Sequence, residues 1–124
     1  MYILGDIGNS ETKIFLVNSK NRILKSINFS TKEINNHILN LKFNILISDI
    51  KKIKKILFCS VVPKSFKLIK KYLKVKTKIK CNEIKQLNLS SIIKIKVNYN
   101  QVGSDRLTNA ISLINDTNNF IIID

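Results

Sequence analysis

Asp6-Ile7-Gly8-Asn9-Ser10-Glu11-Thr12-Lys13 is a stretch of this chain whose residue types could do chemistry together. Asp6 comes near the end of a β-forming run, Gly8 follows two residues on, and Lys13 closes the segment. A glycine lets the backbone approach a ligand closely, and successive N–H groups in a turn can point at phosphate oxygens. In such a cradle Asp6 would hold a magnesium ion through water, Ser10 would hydrogen-bond a phosphate, and Lys13 would neutralise phosphate charge. The same residues also suit a plain hairpin, because Asn-Ser after Gly is common turn chemistry and a strand-end Asp can cap a loop. A second stretch, Val102-Gly103-Ser104-Asp105-Arg106, stands where a helix should begin. Ser104 or Asp105 could serve there as an N-cap. Arg106 adds another possibility: arginine is scarce here, and a guanidinium beside a carboxylate can fix an anionic substrate while keeping Asp105 ionised. That pairing suits a base that takes a proton from a hydroxyl.

The surrounding pattern predicts the elements that position these residues. Residues 2–7, 13–17 and 23–29 are rich in β-formers and are separated by turn residues, which predicts a β-meander. Ser30 and Glu33 have capping-box spacing, and Ile34, Ile38, Leu41 and Ile45 recur as one helical face. Residues 56–62 form an apolar run too short for a helix, ended by Pro63, and fit a buried strand. Phe66, Ile69 and Leu73 then give a second helix its apolar stripe, with Lys67, Lys70, Lys71 and Lys74 on its wet side. Alternation over 76–80 and 94–97 predicts short strands. From Ser104 on, Leu107, Ile111 and Ile114 give a helical period, and 120–123 predict a last strand ending on Asp124. Strands alternating with helices in this order argue for a mixed sheet flanked by helices, an α/β domain.

A chain of 124 residues is one domain's worth, and no apolar run approaches the roughly 20 residues of a membrane span. Asp6 falls where a signal peptide carries its uninterrupted apolar core, so a cytoplasmic location is expected. Cys59 and Cys81 form no CxxC pair and read as reduced core thiols, while His37 reads as a surface residue, leaving no metal-binding cluster. The net charge of +14 raises nucleic-acid or anionic-membrane binding. Of the 22 basic residues only Arg22 and Arg106 are arginines, and the lysines are spread along the chain with many isoleucines and asparagines, as an AT-rich genome imposes. Neither nucleic acid nor membrane is therefore expected as a partner, although positive potential would speed capture of anionic substrates.

Taken together, the motifs resemble those of the type III pantothenate kinases, in the superfamily of acetate kinase, sugar kinases, heat-shock chaperones and actin. Residues 6–13 look like that family's first phosphate motif, DxGN[TS]xxK; Ser60-Val61-Val62-Pro63 resembles its SVVP segment; Val102 to Arg106, with Asn109, resembles VGADRxxN. Ile121-Ile122-Ile123-Asp124 looks like the strand leading into a second phosphate motif. The resemblance implies a ribonuclease H-like fold, the first of two domains of an actin-like kinase, with residues 1–124 an N-terminal part that stops before the second phosphate motif and is inactive alone. It implies ATP-dependent phosphorylation of pantothenate, the opening step of coenzyme A synthesis, by a homodimer. By position, Asp6, Ile7, Gly8, Asn9, Ser10, Glu11, Thr12 and Lys13 would bind ATP and magnesium. Gly103, Ser104, Asp105 and Arg106 would contact pantothenate, with Asp105 the catalytic proton acceptor. Asp124 would bind a monovalent cation, potassium or ammonium. Asn98 is followed by Tyr99 where the family carries Asn-Pro, and Lys96 replaces a tyrosine. The alternative is a non-catalytic homologue with a regulatory or transcriptional accessory role, which need not keep both Asp6 and Asp105.

Overall fold

The structure, a computed structural model, describes residues 1–115 and 121, so the expected strand over 120–123, apart from Ile121, and the expected cation ligand Asp124 lie outside the described residues. Strands β1 (Tyr2–Ile7), β2 (Glu11–Val17) and β3 (Ile23–Ser30) form the expected antiparallel meander. Strand β2 begins two residues early because Thr12 pairs with Ile7 and Glu11 with Ser30. Strand β4 (Lys55–Ser60) runs parallel to β1, and the short β5 (Cys81–Glu83) parallel to β4, giving a sheet ordered β3-β2-β1-β4-β5. Parallel neighbours need crossovers, and helices supply them. Helix α1 (Asn36–Leu46) connects β3 to β4, and α2 (Pro63–Thr77) connects β4 to β5. Pro63 opens α2, where its missing N–H costs nothing.

Both crossover helices cover the same face. Leu39, Phe43 and Leu46 of α1 and Phe66, Ile69 and Leu73 of α2 pack on Ile3, Ile7, Ile14, Ile56 and Phe58 of the sheet. Gly5 is required by this packing: a Cβ there would overlap the ring of Phe58, its parallel neighbour. The opposite face is covered only in part. Helix α3 (Ser104–Ser112) lies there against β4, and Cys59, Ile84, Leu89 and Leu107 form a second, smaller core.

Three sequence-based expectations are corrected. Ser30 ends β3 and does not cap α1; a 3₁₀ turn, Thr31–Glu33, intervenes, and the Asn35 side chain caps by accepting from the Ile38 N–H. The buried stripe of α1 is also displaced, with Leu41 at 50% and Ile45 at 62% exposure. Apolar residues crowd this helix so densely that the three-to-four spacing fits two faces, and the face carrying Phe43 is the one buried. Finally, residues 76–77 still belong to α2, which ends at Lys78 in a left-handed conformation, and 94–97 join no sheet. Ile93 and Ile95 instead pack as irregular chain against the second core. Among the described residues no helix is long and apolar enough to cross a membrane.

Candidate active site

Alternation along β1 buries Ile7 and exposes Asp6 at the end of the strand. Directly opposite residues in an antiparallel pair project to one face. The register sets Lys13 opposite Asp6 and Asn28 opposite Lys13, so these three side chains form a row across the sheet. Glu11, two residues from Lys13, shares that face. Its Oε2 lies 3.3 Å from Lys13 Nζ, and its Oε1 accepts from Asn28 Nδ2 at 2.8 Å. Those two hydrogen bonds, Asn28's first, hold the Glu11 carboxyl below the ordinary glutamate range.

The turn itself closes with Gly8 N–H donating to the Glu11 carbonyl at 3.0 Å, leaving Asn9 and Ser10 exposed at its tip. Gly8 has no positive φ; what favours glycine is crowding, since a Cβ would stand 3.2 Å from the Glu11 carbonyl oxygen. Thr31 ties the turn to the end of β3. Its N–H donates to the Ser10 carbonyl at 2.9 Å and its hydroxyl to the Gly8 carbonyl at 2.8 Å. That spends the only hydroxyl proton of Thr31, so Thr12 must be the donor in the 2.9 Å bond between the two hydroxyls. Thr12 and Ile7 are wholly buried, so neither residue reaches the surface where a ligand would bind.

The second motif begins α3. Gly103 is the N-cap and makes no side-chain bond, and Ser104 is buried, so neither expected hydroxyl nor carboxylate cap forms at that position. Asp105 instead folds back, its Oδ1 accepting from the Arg106 N–H at 2.8 Å. A Cβ on Gly103 would collide with that same oxygen, which explains a glycine here. The expected guanidinium–carboxylate pair is corrected: among the described residues the ion pairs are Lys13–Glu11 and Lys52–Asp49. Consecutive helical residues do not face one another, and Arg106 points to solvent.

The sheet and α3 bring the two motifs together. Asp6 from β1 and Asp105 from α3 line one cleft of about 520 Å³, with Cys59, Thr108 and Asn109 between them and Leu4, Phe15 and Leu57 on its apolar floor. Cys59 Sγ donates to Asp6 Oδ1 at 3.6 Å. Burial chiefly, and then the Asp6 and Asp105 carboxylates, push this thiol up to about 12 against an opposing hydrogen bond from Thr108. It therefore stays protonated and serves as a weak donor at the cleft wall. Gly103 and Ser104 line a neighbouring cleft of about 420 Å³, with Ser60, Glu83 and Lys85. Lys85 straps this side: its Nζ donates to the Val102 carbonyl at 2.8 Å and lies 5.3 Å from the Tyr99 ring centroid, while Tyr99 Oη donates to the Lys85 carbonyl.

Sequence reasoning missed Asn28, Thr31, Glu83 and Lys85 as site residues, and took Cys59 only as a core thiol. Strand register on β3 could have found Asn28; the others depend on contacts between segments distant in sequence. Among the described residues no cluster of three or more His, Cys, Asp or Glu could hold a metal by itself. Asp6 is an exposed carboxylate with one weak donor, a chemistry that suits a magnesium ion held through water.

An α/β domain thus sets the strand-end carboxylate Asp6 and the helix-borne carboxylate Asp105 on one cleft. The family model described as type III pantothenate kinase matches residues 2–124. The chain is 59% identical over 124 residues to the type III pantothenate kinase of Pelagibacter ubique (strain HTCC1062), covering 100% of this chain and 50% of that one. The chain belongs to the type III pantothenate kinase family, and it spans about half the length of the curated relative it matches.

Proposed function

We propose that residues 1–124 form the ATP-phosphate- and pantothenate-binding domain of a kinase that converts pantothenate to 4'-phosphopantothenate. The observation that carries this reading is the convergence of Asp6 and Asp105, ninety-nine positions apart, on one cleft. The exposed tip of the turn, Asn9 and Ser10, would present backbone N–H groups to the phosphates, with the Ser10 hydroxyl and Lys13 adding a donor and a charge. Asp6 would hold magnesium through water, and the ion, when bound, neutralises charge on the transferring phosphoryl group. Asp105 orients the attacking hydroxyl and accepts its proton; Gly103, Ser104 and Arg106 would position the rest of the pantothenate. Catalysis of this kind is mainly positioning and charge neutralisation.

The finer fold assignment, ribonuclease H-like and the first domain of an actin-like kinase, is supported by the strand order and by helices on both faces. A monovalent cation at Asp124 and a homodimer complete the reading by resemblance. The test is to assay the full-length protein for ATP-dependent formation of 4'-phosphopantothenate with and without potassium or ammonium. Product that requires the cation is the expected result. A folded protein that binds no ATP and forms no product would replace the kinase with the non-catalytic homologue.

A further inference from the structure

Glu83 ends β5 with 9% exposure, and its two carboxylate oxygens are treated unequally. Oε2 accepts from the Lys85 N–H at 2.8 Å, capping the 3₁₀ turn Ile84–Gln86. Oε1 has no partner, and among the described residues it is the one buried side-chain polar atom left so. An ionised carboxylate can only accept, and a buried acceptor without a donor is disfavoured strongly enough that such groups call for an explanation. Lys85 does not supply the donor: its ammonium reaches the Val102 and Asn100 carbonyls and makes no bond to Glu83 Oε1.

Glu83 lines the second cleft together with Gly103 and Ser104, where α3 begins without a side-chain cap. The residue that carries the unpaired acceptor and the donor-rich end of a nine-residue helix thus line one cleft. A secondary amide matches both, offering an N–H on one side and a carbonyl on the other. The cleft also adjoins the reacting group: Ile84, the next residue after Glu83, and Asp105, the next after Ser104, both line the first cleft. A substrate with its hydroxyl at Asp105 would extend its amide toward Glu83.

We propose that Glu83 is a substrate-contacting specificity residue, its Oε1 accepting a hydrogen bond from the amide N–H of pantothenate. This rests on the kinase reading of the same site. The test compares pantothenate with its ester analogue, in which oxygen replaces the amide N–H, in the full-length protein and its Glu83→Gln and Glu83→Ala variants. Steady-state kinetics and calorimetric binding are both read. A hydrogen bond to a charged group predicts that the unaltered protein prefers the amide by roughly 10- to 100-fold. Both variants should reduce that preference to within about twofold and raise KM for pantothenate, with KM for ATP nearly unchanged. Glu83→Gln retains an oxygen for the Lys85 N–H and so keeps the cap if Glu83→Ala fails to fold. Persistence of the preference in Glu83→Gln, or its absence from the unaltered protein, would overturn the proposal. Protein that binds both compounds and phosphorylates neither would remove the kinase reading, while the binding ratio would still decide the Glu83 contact. Protein that binds neither compound overturns both.

Discussion

The turn after β1 and the approach to α3 are built by different means. The turn between β1 and β2 continues a hydrogen-bonded ladder and is fixed from behind by Thr31, which bonds two of its carbonyls. The approach to α3 has no ladder. It is held by side chains reaching across, with Lys85 on the Val102 carbonyl and Tyr99 on the Lys85 carbonyl. The first arrangement is a backbone turn braced by a side chain, the geometry that the proposed phosphate binding would use. The second makes a shaped wall from side chains, suited to discrimination between acceptors.

Changes on the acceptor side should therefore reach chemistry with little effect on nucleotide binding. Asp105→Asn is expected to have the largest effect, lowering kcat by roughly 10²- to 10⁴-fold because the amide cannot take the proton. Nucleotide affinity, measured by calorimetry, should stay within about twofold; an equal loss there would remove the assigned role. Gly103→Ala comes next. The new methyl would collide with Asp105 Oδ1, the end of a side chain that can swing, while the backbone at φ −64° and ψ 148° accommodates alanine. Misplacing a reacting group by about an ångström costs up to about 10²-fold, so kcat should fall by roughly 10- to 100-fold. An unchanged melting temperature would separate this from unfolding.

The contrast between the two sides also explains what could be read from sequence. The meander, the turn at Gly8 and the stripe of Phe66, Ile69 and Leu73 were legible because local periodicity and turn chemistry decide them. The Asp6 and Asp105 motifs were legible as residue types, and their meeting came from resemblance. The face of α1 was not legible, since Leu41 and Ile45 keep helical spacing as well as Phe43 does and only the sheet chooses between them. Glu83 and Lys85 sit in the polar connection between two alternating segments, and Lys85 matters through its bonds with Tyr99, Asn100 and Val102. The expected Asp105–Arg106 pair failed because adjacency in sequence is divergence on a helix.

On the phosphate side, effects should appear first in stability. Thr31→Val keeps the shape of the side chain but leaves the Gly8 carbonyl without a donor and the Thr12 hydroxyl without an acceptor. Leaving such groups unpaired costs about 1–3 kcal/mol, which denaturant titration would register as a lower midpoint with an unchanged slope. Nucleotide affinity should drop with it, because the same bonds hold the turn. A stable variant with normal affinity would mean that the ladder alone suffices to shape the cradle.

The smallest effect expected runs in the favourable direction. Glu11 pairs with the ammonium of Lys13, so a phosphate bound at Lys13 as proposed would have to displace it. Exposed ion pairs are weak, and Glu11→Gln should accordingly strengthen nucleotide binding by about a few-fold at most, with little change in stability. The pH dependence has a definite sign. Asn28 and Lys13 lower the carboxyl of Glu11 in the folded chain, so the pairing is fully present above the ordinary glutamate pKa and is lost as pH falls through the lowered value. Carboxyl-detected NMR titration would locate that lowered value, and Lys13→Ala should move it back up. Weaker nucleotide binding in Glu11→Gln would reverse the assignment: Glu11 would then hold Lys13 in place for the phosphates instead of competing with them.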